Sequence, residues 1–171
     1  MSPLAEALGV DPDRVAVLVD TLRERAETVA TAESLTGGLV CALLTAVPGA
    51  SDVVRGGLVV YASQLKVALA EVSRRALDEH GAVHPVIAEQ LAAGARRRCL
   101  ATWGIGLTGV AGPDPQDGVD PGTVHIGLAG PDGGEVRTIQ AAGGRHEVRA
   151  AAVGGALDLL SRRLQRFSRQ S

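Results

Sequence analysis

Ser34 lies in the stretch Thr31-Ala32-Glu33-Ser34-Leu35-Thr36-Gly37-Gly38. A serine hydroxyl becomes a nucleophile only beside a group that takes its proton. The chain offers a conspicuous candidate. Of its 17 basic residues, Lys66 is the only lysine, and Tyr61 is its only tyrosine. A desolvated lysine can release its proton, whereas an arginine effectively cannot. A chain that otherwise uses arginine for positive charge keeps a lysine either by chance or for that reason.

The surrounding pattern says how these residues are held. Residues 28–31 have the β-branched content of a strand, and residues 39–44 have the apolar density of a buried helix. Ser34 falls on the turn between them. The first N–H groups of a helix lack intrahelical partners and sit at the positive end of its dipole, so they can hold an anion or a developing oxyanion. Gly37 and Gly38 remove side chains where a substrate would approach. On this stretch alone, Ser34 or Thr36 serves equally well as a helix N-cap.

Other segments of the same kind complete a constellation. Tyr61 ends an apolar run at 58–61, Lys66 lies in the first turn of a helix opened by Ser63, and Thr108-Gly109 ends a strand at 103–108. In open α/β sheets, ligands gather where strand ends meet helix starts. A serine and a desolvated lysine can act as a nucleophile and its base. The Tyr61 phenol is placed to relay a proton or orient Lys66, and backbone N–H groups near Leu35, Thr36 or Gly109 are candidates for stabilising an oxyanion.

Two other patterns compete. Gly104-Ile105-Gly106-Leu107-Thr108-Gly109 fits G-x-G-x-x-G, but its glycines lie inside a strand and no helix follows to receive a pyrophosphate. Ser63-Gln64-Leu65-Lys66 fits S-x-x-K without the S-D-N and K-T-G partners of penicillin-binding enzymes. Ser63 therefore reads as an N-cap and stands as the rival nucleophile.

Elsewhere, Asp11-Pro12 opens an amphipathic helix over 12–26. The helix after Ser34 is expected over 36–47, and a short helical turn over 51–55. Residues 58–61 read as a strand buried on both faces. Residues 73–80 form a short helix closed by Gly81, and Pro85 opens an alanine-rich helix to about 99. Strands at 123–129 and 135–140 form a hairpin, and a final helix runs from about 145 to 167. This order implies a three-layer α/β/α sandwich with a mixed central sheet, in a single domain spanning 1–171 with its core at about 12–165. Only 2% of residues are aromatic. The core must then be built from Ala, Val and Leu, which lets helices pack closely on a sheet.

Charge and composition narrow the function classes. The net charge is −2, and the basic runs 96–98 and 162–169 sit near helix C-termini with Phe167 as the one aromatic within them, which argues against nucleic acid as a partner. The N-terminus has no basic region followed by an apolar run, and the longest apolar stretch is too short for a bilayer, so no membrane is expected and a cytoplasmic location is. Cys41 and Cys99 read as reduced core residues. His84 and His125 are isolated and read as surface or loop residues, so neither a metal nor a cofactor is expected. Alanine-rich helices suit a homodimer and a monomer core equally, and the sequence leaves both open.

The motifs 32–38, 57–61 with Lys66, 81–83, Thr108-Gly109-Val110-Ala111-Gly112-Pro113 and Gly122-Thr123-Val124 resemble, in order and spacing, those of the CinA C-terminal domain family. That family includes amidases that convert nicotinamide mononucleotide to nicotinate mononucleotide and ammonia. The resemblance implies a pyridine nucleotide as the small-molecule partner, Ser34 as nucleophile, Lys66 as its basic partner and Tyr61 as the associated tyrosine. It also implies Glu33, Thr36, Gly37, Thr108 and Gly109 as substrate-binding positions, with Arg145 for the substrate phosphate and Arg149 as a weaker candidate. A non-catalytic nucleotide-binding or regulatory module with the same pocket, and a hydrolase of a different amide, are the alternatives. Residues 114–121 depart from the family's diglycine and lysine-proline-valine pattern and bring extra acids, which would oppose a phosphate if this loop meets the substrate. Leu35 replaces a usual cysteine, and His84-Pro85 replaces serine-glutamate-proline.

Overall fold

In a computed structural model of the chain, residues 2–168 are described; Arg169, which the basic run 162–169 includes, lies outside them. Helices α1 (Pro3–Ala7) and α2 (Pro12–Glu24) lead into β1 (Val29–Glu33). There follow α3 (Leu39–Thr45), a 3₁₀ turn (Ala50–Asp52), β2 (Val54–Val59), α4 (Ser63–Ala70), α5 (Arg74–His80) and α6 (Pro85–Arg98). Strands β3 (Trp103–Gly109), β4 (Thr123–Gly130) and β5 (Gly133–Gln140) precede the last helix, α7 (Arg145–Ser168).

The five strands form one mixed sheet in the order β2-β1-β3-β4-β5. The first three are parallel, and β4 and β5 run antiparallel as a hairpin. Helices α2, α3 and α7 pack on one face and α6, backed by α4 and α5, on the other. The architecture is the three-layer α/β/α sandwich with a mixed sheet.

Side-chain alternation makes the two faces unequal. On β3, Trp103, Ile105 and Leu107 join the core beneath α2, α3 and α7, with Val124, Ile126 and Leu128 of β4. The alternate positions, Gly104, Gly106 and Gly127, face the backbone of α6 around Ala88 and Ala92. Alanines do the rest: Ala30, Ala32, Ala95 and Ala101 belong to the second core cluster with Ile87 and Leu91. The helix thus lies almost directly on the sheet, as a core poor in aromatics allows.

Several local expectations need correction. The strand placed at 58–61 is β2 at 54–59; it is a sheet edge, with half-buried and exposed residues alternating instead of two buried faces. Val60 has left the strand, and its buried side chain joins the α6 side of the core. Helix α3 begins at Leu39 instead of residue 36, because Gly37 and Gly38 adopt φ of 58° and 98° and hold residues 35–38 in a turn. The helical turn expected over 51–55 is the 3₁₀ turn Ala50–Asp52. Ala62, not Ser63, is the N-cap of α4. His125 is not a surface residue: it is 7% exposed on β4, with Nδ1 2.8 Å from Thr138 Oγ1, and burial lowers its pKa. His84 is the N-cap of α6, its Nδ1 accepting from Val86 N at 3.2 Å.

Candidate active site

Ser34 directly follows β1, and its N–H donates to Leu107 O at 3.0 Å, which ties the turn to β3. Lys66 comes from the second turn of α4 and is 1% exposed. Its Nζ donates to Ser34 Oγ at 3.0 Å, to Val60 O at 2.9 Å and to Tyr61 O at 3.1 Å. It enters no ion pair among the described residues. Burial, uncompensated by a carboxylate, lowers its pKa to about 8. Ser63 lines the same cavity, yet the ammonium nitrogen is hydrogen-bonded to Ser34 and to none of the Ser63 atoms.

The cavity over Ser34 holds about 170 Å³. Its wall includes Leu35, Tyr61, Ser63 and Lys66, the Ala82-Val83 segment before α6, the run from Thr108 to Gly112, and Asp114, Gln116 and Arg145. Thr108 is buried, and its Oγ1 donates to Ala82 O at 2.7 Å, clamping β3 to the 82–83 wall. At Gly109 an added Cβ would come within 2.7 Å of Thr123 O, so the strand end there must lack a side chain. Arg145, the first residue of α7, donates through Nη1 to Gly112 O and through Nη2 to Tyr61 Oη, each at 3.0 Å.

The structure separates three other candidates from this cavity. Glu33 is fully buried, and its carboxylate accepts from Thr31 Oγ1 at 3.0 Å, Gly38 N and Val40 N at 3.1 Å, and Cys41 N at 2.9 Å. It is the cap of α3, a correction to its reading as a substrate contact. The same carboxylate occupies N–H groups at the helix start that the sequence offered to an oxyanion. Thr36 and Gly37 likewise form the turn beneath Ser34 and lie outside the lining. The Leu35 and Thr36 amides, by contrast, meet no acceptor among the described residues.

Tyr61 reaches Lys66 differently from the sequence reading. Its backbone carbonyl accepts from Nζ, while the phenol is held by Arg145. Arg149, the weaker phosphate candidate, donates through Nε to Leu35 O at 3.0 Å and so braces the turn. Glu33 and Arg149 thus hold the turn that carries Ser34, the first by capping α3 and the second through Leu35 O, where the sequence had suggested contacts with substrate. Replacing Glu33 by Gln turns one acceptor oxygen into a donor facing N–H groups. The expected loss is about 3 kcal/mol of stability, read as a lowered urea midpoint with an unchanged slope.

Set beside known proteins, residues 13–164 match the model of the CinA C-terminal domain. The chain belongs to the CinA C-terminal domain family. A CinA-like protein of Frankia casuarinae is 47% identical over 156 residues, covering 91% of this chain and 36% of the relative. One from Synechococcus sp. is 44% identical over 163 residues, covering 93% of this chain and 39% of the relative. The chain therefore spans well under half the length of these relatives. Among solved structures, the competence/damage inducible protein CihA of Agrobacterium tumefaciens superposes with a TM-score of 0.85 at 32% identity, over 90% of this chain and 94% of that one. A CinA superfamily protein of Escherichia coli gives 0.84 at 30% identity, over 86% and 87%. Among the described residues, no helix is long and apolar enough to cross a membrane, and no group of three or more potential metal ligands occurs.

Proposed function

We propose that this CinA-family chain is an amidohydrolase that converts nicotinamide mononucleotide to nicotinate mononucleotide and ammonia, with Ser34 as nucleophile and Lys66 as its base. The observation that carries the reading is the 3.0 Å contact between Lys66 Nζ and Ser34 Oγ at the floor of a cavity. An ammonium has three N–H donors, and three acceptors surround this nitrogen. The neutral amine has two donors and a lone pair. The Val60 and Tyr61 carbonyls can only accept, so they take the two N–H groups and leave the lone pair for the Ser34 hydroxyl. The geometry suits both states of a general base.

In the reaction, Lys66 takes the Ser34 proton as Oγ bonds to the amide carbon. The carbonyl oxygen gains negative charge, for which the Leu35 amide, on the residue of the turn that lines the cavity beside Ser34, is the free donor. As the C–N bond breaks, the Lys66 ammonium returns its proton to the departing nitrogen, and ammonia leaves. Water, deprotonated by the same amine, then releases nicotinate mononucleotide and restores Ser34. Arg145 keeps N–H groups beyond its bonds to Gly112 and Tyr61, and these are assigned to the substrate phosphate.

The direct test is ammonia release from nicotinamide mononucleotide by the purified protein. Because the base must be neutral, kcat/KM is expected to rise with pH and level off above about 8, the value to which burial brings Lys66. Nucleotide binding without ammonia release from a folded protein would sink the amidase reading in favour of a binding module. A profile that falls through pH 8 would show that the charged lysine is the working form.

A further inference from the structure

Asp114 stands in the wall of the Ser34 cavity, on the exposed segment after Pro113. Among the described residues that line this cavity it is the one carboxylate, and Arg145 is the one guanidinium. Two such side chains on the rim of a small cavity would readily pair with each other. Here Arg145 is directed to Gly112 O and Tyr61 Oη, and Asp114 enters no ion pair among the described residues. The cavity is therefore bipolar. It also presents Tyr61, 62% exposed and the chain's only tyrosine, whose ring face attracts cations.

We infer that Asp114 is a specificity-determining residue that selects amides borne on a positively charged ring, as in an N-alkylpyridinium, over neutral amides of nearly the same shape. The inference rests on the amidase reading and narrows its substrate class. In nicotinamide mononucleotide the ring nitrogen carries the ribose and is cationic, and the phosphate is anionic. A lone acid in the wall opposes the phosphate but favours the ring, and Arg145 does the reverse. With Lys66 committed to Ser34, Val60 O and Tyr61 O, Asp114 and Arg145 are the charged groups left to match a substrate with one group of each sign, which an all-basic cavity would not. Gln116, in the same wall, offers only an amide dipole and cannot supply this preference. At the distances of direct contact near a protein surface, one unit charge on another changes affinity by about tenfold or more.

The test compares nicotinamide mononucleotide with its 1,4-dihydro form, which keeps the amide, ribose and phosphate but has a neutral ring. Binding of both is measured by calorimetry on Ser34→Ala, alone and combined with Asp114→Asn or Asp114→Glu. With Asp114 present, the cationic form is expected to bind about tenfold more tightly. Asp114→Asn should bring the ratio of the two dissociation constants close to one, and Asp114→Glu should keep it. A ratio is used because a general loosening of the loop weakens both ligands alike. An unchanged ratio in Asp114→Asn, no preference when Asp114 is present, or binding of neither nucleotide overturns the inference. Ammonia release by the protein with Ser34 intact is scored separately. Release without charge preference keeps the amidase and removes the role of Asp114, whereas charge preference without release does the opposite.

Discussion

Ser34→Ala and Lys66→Arg are each expected to lower ammonia release by about 10⁴-fold, and the double variant by little more than either one. The two side chains form one unit: without the hydroxyl there is no nucleophile, and without the amine the hydroxyl keeps its proton. Arginine preserves the positive charge and hydrogen-bond donors but effectively never deprotonates, so it isolates the proton transfer from simple charge. Ser63→Ala should cost less than about tenfold, since Ser63 lines the cavity without a bond to Lys66. Activity that survives Ser34→Ala but is lost with Ser63→Ala would move the nucleophile to the S-x-x-K pair. Lys66 also links activity to stability. Its pKa falls from 10.5 in the unfolded chain to about 8 in the folded one, so between those values the unfolded state holds the extra proton. Stability from this site is thus lowest below pH 8 and rises with pH across that window. Denaturation midpoints at pH 8 and pH 10 should show the rise, and Lys66→Met should remove that part of it.

How these residues meet was only partly legible in the sequence. The pairing of Ser34 with Lys66 could be anticipated from the rarity of lysine and from two strand-to-helix junctions, because parallel strands carry such junctions to one end of a sheet. The glycines at alternate positions of the strand at 103–108 were visible too, but that their face receives α6 is shown only by the structure. What escaped was set by tertiary neighbours. Nothing local tells that the Tyr61 carbonyl, and not its phenol, reaches Lys66, since this follows from how the chain leaves β2 at an edge of the sheet. Glu33 lay within a motif suggestive of ligand binding, and its actual work depends on the seven-residue α3 starting three residues later than expected. With Gly38 as an N-cap that has no side chain, the helix start borrows a carboxylate from the strand before it. Asp114 was readable as an unexpected acid, but its place in the cavity wall depends on the path of the loop after Gly112.

Gly106→Ala and Gly127→Ala are each expected to destabilise the fold by about 3 kcal/mol, the upper range for overpacking, because the clash is with backbone and no rotamer can relieve it. A Cβ on Gly106 would lie 2.4 Å from Ala92 N and 2.5 Å from Ala88 O, and one on Gly127 would lie 2.2 Å from Ala88 O. Relief requires α6 to move off the sheet. That motion opens the contacts of Ala88, Leu91 and Ala92, among the most buried residues on this face. It also reaches the site, for the Ala82-Val83 wall leads into α6 and is tied to Thr108 by the 2.7 Å bond. A lowered urea midpoint together with weaker nucleotide binding is therefore expected from both variants. Gly154→Ala in α7 supplies the contrast: no atom lies within 4 Å of its added Cβ, and a helical alanine should stabilise by about 0.5–1 kcal/mol. If Gly106→Ala and Gly127→Ala unfolded at the parental midpoint, the close seating of α6 on the sheet would be refuted, and with it the account of why so few large side chains suffice for this core.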